Sequence, residues 1–420
     1  MENYRKWFAD AFAVAWHELK KIFTDSGVMV VFFVAGLGYP LLYNFVYSNG
    51  ILENVPIAVV DHSHSDNSRR YIRKMDATRE LMVAQKCATI DEAKDLMQRR
   101  KVKGIVYFPK DYAYKTETFE TGVLSIYADM SSFLYYKNLM LGANFVMLDE
   151  IRDIKMERCQ VEGLSNQETS QLVEAVPYDD NNPYNRTFSY SIFFLSAALL
   201  LIVQQVMLYG MIMRSGTDKE RGLSYMRVFD RMGRPGLARI VLGRSFAYWI
   251  LFLGIGIYVS TIVPAMFSFP QRGNYFDILL LLLFYVTDCV FFASYWSSFF
   301  TRRETGFVTL LFVSPIALFL TGFSWPTVAF PAFWKLVSYI FPSTFACPAF
   351  INLNTAACDL SEVRDYFIDI TIQACIYCAL TFMVALRERL KLEGKEKKFP
   401  KIFLPLHAFS REDKEVNSIY

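Results

Sequence analysis

The chain is short of the residues that most often do chemistry. Histidine occurs 4 times in 420 residues, and none of the four forms the H-E-x-x-H pair of a zinc site. No G-x-x-x-x-G-K-[S/T] phosphate loop occurs, which argues against ATP hydrolysis by this chain. No G-x-S-x-G elbow occurs either, which argues against a serine hydrolase of the α/β type. The 7 cysteines lack metal-ligand spacing. Cys375 and Cys378 do form C-x-x-C, but within an apolar stretch where small packing residues are the simpler account. Net charge is only +3, which says little about partners, and no nucleic-acid partner is expected. A catalytic role, including that of a membrane enzyme, is therefore the weakest class of reading.

What is abundant is apolar surface. Apolar residues make up 53% of the chain and aromatics 16%, with 38 phenylalanines. They concentrate in blocks long enough to cross roughly 30 Å of hydrocarbon, which takes about 20 helical residues. The blocks fall near Val28–Tyr47, Phe188–Met213, Ile240–Phe267, Phe276–Phe300, Phe307–Tyr339 and Phe367–Leu386. A charged, aromatic segment precedes the first block and no A-x-A-like site follows it, so the block is expected to be a retained anchor. The fifth block is interrupted by Pro315, Gly322, Pro326 and Pro331. It is expected to be a span followed by a broken, re-entrant return, which only protein or water can cover.

Lys and Arg flank alternate blocks. Arg5, Lys6, Lys20 and Lys21 precede the first, eight basic residues from Arg214 to Arg244 follow the second, Arg302 and Arg303 follow the fourth, and Arg387 to Lys398 follow the sixth. The loop near Phe269–Tyr275 holds only Arg272. By the positive-inside rule both termini are cytoplasmic, a parity that six spans satisfy. The expectation is an α-helical polytopic membrane protein of six spans, with an extracytoplasmic α/β domain inserted between spans one and two. Its parts are residues 1–27 as an interfacial helix, 28–47 as the first span, 48–187 as the insert, 188–386 as a five-span domain and 387–420 as a basic tail.

Within the insert, Val55–Val60, Leu81–Lys86, Gly104–Phe108 and Val123–Ala128 read as strands, and helices are expected from about Ser68, over Ile90–Arg100 and over Ser132–Val161. Thr89 with Glu92 forms a capping-box pattern. His62 and His64 read as a polar loop after the first strand rather than as metal ligands, and no metal site is expected. Cys87, Cys159, Cys347 and Cys358 would all lie outside the cytoplasm, where a disulfide is chemically permitted but three pairings are open. The sequon Asn185-Arg186-Thr187 abuts the second span and is attributed to chance.

Three features carry functional weight. Asp288 lies near the middle of the fourth span, where a carboxyl is costly; it serves either a substrate or proton path or a structural hydrogen bond. Gln204 and Gln205 in the second span pose the same choice, with interhelical hydrogen bonding the plainer reading. The segment 214–244 contains Asp218-Lys219-Glu220-Arg221-Gly222, then Met226, Val228 and Phe229, a pattern suited to a short amphipathic helix. That helix would either dock in a groove of a soluble partner or rest on lipid. The N-terminal segment places Trp7, Phe8, Phe12, Trp16, Leu19 and Phe23 at roughly helical spacing, as an interfacial helix would.

These residues resemble those of the ABC-2-type permeases, the membrane subunits of bacterial ABC exporters. The resemblance rests on Glu220-Arg221-Gly222 after the second span, with Leu223 where relatives typically carry Thr, and on Gly322-Phe323-Ser324-Trp325-Pro326 followed by Pro331, Trp334, Tyr339 and Pro342. The one-plus-five layout, together with Ile57–Asp61 and Gly104–Pro109 as insert strands, is similar to the subgroup with a large extracytoplasmic domain after the first span. The resemblance implies an efflux permease working as a homodimer or heterodimer with separate ABC ATPase subunits, which would carry the ATP and Mg; this chain would need no cofactor. It also implies that Glu220, Arg221 and Gly222 couple to the ATPase, that Gly322, Pro326, Pro331 and Pro342 form a re-entrant motif, and that the protein resides among the lipids of the bacterial inner membrane. The insert could hand an amphipathic small molecule, drug or lipid to a periplasmic adaptor and an outer-membrane channel. The rival reading is a non-transporting membrane scaffold or receptor with the insert as its binding module.

Overall fold

A computed structural model describes residues 2–47, 52–118, 120–173, 189–222, 236–322 and 325–392. It divides into two compact units, residues 1–48 with 189–420, and residues 49–188.

The larger unit opens with α1 (Glu2–Thr24). Asp25 stops it and at once caps the next helix, its carboxyl accepting from the backbone N–H groups of Gly27 and Val28. That helix, α2 (Ser26–Val46), is the first of those long and apolar enough to cross a membrane. Its middle, Val30–Gly38, is wound as a π-helix just before Pro40. Proline has no N–H to give and crowds the carbonyl four residues back, so a wider turn ahead of it relieves both problems. The same device recurs at Tyr258–Ile262, just before Pro264.

The smaller unit is an α/β domain. In chain order it holds β1 (Val55–Asp61), α3 (Asp66–Asp76), β2 (Leu81–Cys87), α4 (Ile90–Gln98), β3 (Gly104–Phe108), α5 (Tyr112–Glu117), β4 (Ser125–Ala128), α6 (Phe133–Val161) and α7 (Asn166–Val173). The sheet order is β2-β1-β3-β4, with β1 parallel to both neighbours and β4 antiparallel to β3. Central β1 is apolar on both faces: Val55, Ile57 and Val59 join the core with Tyr71, Leu139 and Val146, while Ala58 and Val60 join Ala93 and Leu96. A strand covered on both sides reads as a continuous apolar run, as this one does. Helix α6 comes close to the sheet at Gly104, where a Cβ would lie 2.6 Å from Leu139. Arg70 and Lys74 of α3 clasp buried Glu150 of α6 at 2.8 and 3.0 Å.

The expected elements appear with shifted ends. The strand expected from Val123 begins at Ser125, the helix expected to reach Arg100 ends at Gln98, and α5 and α7 were not anticipated. The capping box is half formed. Thr89 accepts from the Glu92 N–H, but Glu92 returns to Ala88 N–H rather than to Thr89. His62 hydrogen-bonds the Ala88 carbonyl at 3.0 Å, as a polar loop residue would.

The larger unit continues with α8 (Tyr190–Glu220), α9 (Leu237–Met266), α10 (Tyr275–Ser297), α11 (Arg303–Leu320), α12 (Ala332–Ser338), α13 (Ser343–Asn354) and α14 (Arg364–Leu392). Among the described residues, five helices, α2, α8, α9, α10 and α14, are long and apolar enough to span a membrane; the α12–α13 pair, bent by 81°, would make a sixth if it is one span. The protein is thus α-helical and polytopic. Beyond the break expected at 322–342, Pro342 opens a further helix, α13, that runs to Asn354. Cys347 is fully buried in α13 within the core of the unit. No disulfide joins cysteines among the described residues.

Candidate functional site

The last two turns of α8 gather the ends of four other helices. Arg214 and Asp218, one turn apart, pair at 2.7 Å and both are buried. Asp218 also faces Lys21 of α1 at 3.8 Å. Thr217 accepts from the Arg303 guanidinium at 3.1 Å. Lys219 donates to the carbonyls of Ser298 and Phe300 just after α10, at 2.5 and 3.0 Å. Glu220 accepts from the backbone N–H of Arg303, the first residue of α11, at 2.8 Å. Arg303 in turn reaches the Asp25 carboxylate that caps α2, at 3.2 Å. Gly222, at φ +65°, then turns the chain sharply off the helix, a conformation that costs other residues more.

A second tier holds α1 against α9. Glu18 is buried and accepts from Arg244 at 3.2 Å and from the Tyr248 hydroxyl at 2.9 Å. Burial alone would raise its pKa, but Arg244, Arg214, Lys21 and the Tyr248 hydrogen bond outweigh it and hold the carboxyl below its ordinary value. Burial pulls Lys21 down, against the attraction of Asp218 and Glu18. At the outer margin Asp10 pairs with Arg239 at 2.6 Å. Helix α1 uses one stripe, Val14, Ala15, Glu18 and Ile22, for this packing, and leaves Phe8, Phe12, Trp16 and Phe23 exposed on the other side. An aromatic face of that kind suits the membrane interface.

The sequence-derived coupling residues therefore sit in a defined place. Glu220 is latched to α11, Arg221 ends α8, and Gly222 makes the turn. Residues 214–220 continue the spanning helix instead of forming a separate one, since Arg214 and Asp218 satisfy each other within it. Met226, Val228 and Phe229 lie outside the described residues. Glu18, Asp25 and Arg303 were missed as site residues. A carboxylate on the apolar stripe of α1 was the available signal for Glu18; nothing local pairs Asp25 with a residue so far along the chain.

The intramembrane polar residues behave differently. Asp288 is fully buried in α10, and neither carboxyl oxygen has a hydrogen-bond partner among the described residues. Gln204 accepts from the Ser343 N–H at 2.7 Å, where α13 begins, so it ties α8 to the broken pair. Both amide atoms of Gln205 are without a partner among the described residues. None of the three hydrogen-bonds another.

At the break itself, Pro326, Pro331 and Pro342 each stand at the head of a short helical segment, and Gly322 adopts φ +88°. The carbonyls the break strands are capped from α14: Gln373 donates to Tyr339 and Ile340 at 2.9 and 3.1 Å, and Tyr377 to Ile340 at 2.8 Å. This is the internal satisfaction that irregular backbone needs within a membrane.

No curated protein matches the chain. A family model described as an ABC-2 family transporter protein matches residues 26–386, from the first residue of α2 through most of α14. The chain belongs to the ABC-2 family of transporter proteins, as an ABC-2-type permease.

Proposed function

We propose that this permease is the membrane half of an ATP-driven exporter, moving an amphipathic small molecule, drug or lipid out of the cytoplasm or inner leaflet of a bacterial inner membrane. Two copies, or one copy and a close relative, would work with two separate ABC ATPase subunits that hold the ATP and Mg. Both termini and the α8–α9 connection face the cytoplasm in this reading, and the α/β unit faces outward, where an adaptor and an outer-membrane channel could take the substrate.

The observation that carries the reading is the inner end of α8. A rigid helix of 31 residues ends in four consecutive contacts with other helices and then turns sharply at Gly222. A push on the segment after Gly222 travels up a rod that cannot yield locally, because Lys219 and Glu220 tie it to α10 and α11 and Asp218 ties it to α1. A helix latched in this way moves its neighbours with it, and packed interfaces respond by shifting between discrete arrangements.

The test is to co-purify the chain with a candidate ABC ATPase, reconstitute the pair, and compare wild type with Glu220→Ala and Gly222→Val. Loss of coupled export, with the ATPase still bound, is the expected result. Unchanged ATP hydrolysis and unchanged export in both variants would reject the coupling role.

A further inference from the structure

The contacts at the inner end of α8 differ in how they are built, and one of them is built to come apart. Glu18 and Arg244 are 1% and 12% exposed at the side chain, and Glu18 is also bound to Tyr248. Opening that tier would strand a buried carboxylate, which is costly. Arg303 and Asp25 are 30% and 12% exposed, so water can take over the guanidinium. Asp25 would not be stranded either, because its carboxyl already accepts from Gly27 and Val28. The surrounding packing is close. A Cβ on Gly27 would fall on the Arg303 guanidinium, and one on Gly216 would lie 2.7 Å from the Arg303 nitrogen. One turn along α11, a Cβ on Gly306 would fall on Ile212. Helices α8 and α11 thus approach closely at these ends, glycines admitting the Arg303 backbone and the Ile212 side chain.

We propose that Arg303 is the positioning residue of the transport cycle: with Asp25 and Thr217 it pins the inner ends of α2, α8 and α11 in the resting state, and it lets go when α8 is driven. The inference rests on the coupling role of α8 given above. The pin holds three helices at one point, and freeing Arg303 from Asp25 strands neither partner.

Asp25→Asn separates the two duties of Asp25, since asparagine still caps a helix but carries no charge. The full chain in lipid nanodiscs is compared as wild type, Asp25→Asn, Arg303→Gln, the double variant and Arg303→Lys. Hydrogen exchange at residues 303–306, the first turn of α11, is expected to quicken about tenfold in each neutral single variant and no further in the double. Arg303→Lys, which keeps the charge beside Asp25, is expected to restore most of the protection. In the complex with the ATPase, hydrolysis without added substrate is expected to rise about fivefold in the neutral variants. A purely structural role would instead lower the midpoint of global unfolding and spread the exchange across α8.

Unchanged exchange in either neutral variant, or additive effects in the double, overturns the pin. Unchanged hydrolysis together with quickened exchange overturns its place in the cycle. Failure of the wild-type chain to bind any ATPase would count against the coupling role itself, and the exchange measurements on the chain alone would still decide whether the pin exists.

Discussion

Two buried carboxyls in the membrane unit meet opposite treatment. Glu18, in α1, is surrounded by Arg244, Arg214, Lys21 and the Tyr248 hydroxyl. Asp288, in α10, is as deeply buried and has no hydrogen-bond partner among the described residues. Removing water from a charge is costly unless a partner replaces it. The cluster around Glu18 therefore contributes to holding helices together, whereas Asp288 gains no such compensation among the described residues.

The sharpest way to break that contrast is to remove each acid in turn. Glu18→Ala takes from Arg244 the buried carboxylate it pairs with and from Tyr248 its acceptor, and should cost about 3 kcal/mol of stability, read as unfolding in detergent. Glu18→Gln should cost less, because it can still accept from Tyr248. The same pair separates by pH. The Glu18 carboxyl titrates below its ordinary 4.5 when folded, so its contribution is fully present above that value and lost as pH falls through the depressed one. The stability gap between wild type and Glu18→Gln should close on acidification; a gap that widens would refute the assignment.

Next in size is Gly216→Ala. Its Cβ would press on the Arg303 backbone, forcing α8 and α11 apart at about 2 kcal/mol, visible as a lower unfolding midpoint. Asp288→Leu should move stability the other way, by about 1 kcal/mol upward, because it replaces an unpartnered carboxyl with apolar volume. A large destabilisation would show that Asp288 has a structural partner and collapse the distinction from Glu18. The smallest effect belongs to the α/β unit, where Thr89→Ala removes the α4 cap and should cost about 1 kcal/mol. Protease sensitivity confined to residues 49–188 would report it.

Local signals in the sequence carried most of the fold. The apolar run Val55–Val60 announced a buried strand, and Thr89 announced the start of α4. The break after Gly322 was legible from its prolines, but its extent was not, because Pro342 can end one helix or begin another and only Gln204 accepting from Ser343 settles which. The site was legible in part. Glu220 and Gly222 stand in a readable motif, while what they latch to does not. Arg303 looked like one more basic residue beside a span, and its contacts with Asp25 and Glu220 join residues separated by 278 and 83 positions. Close approaches at Gly27 and Gly216 are equally silent in sequence, since a glycine does not say which backbone it faces.

The most direct test of the account is hydrogen exchange of the reconstituted permease–ATPase complex, compared with and without trapped ATP. The account predicts that exchange at residues 25–28, 214–220 and 303–306 changes together on trapping, while α3 and α6 of the α/β unit keep their protection. Export with ATP turnover but no change at those three segments would contradict it.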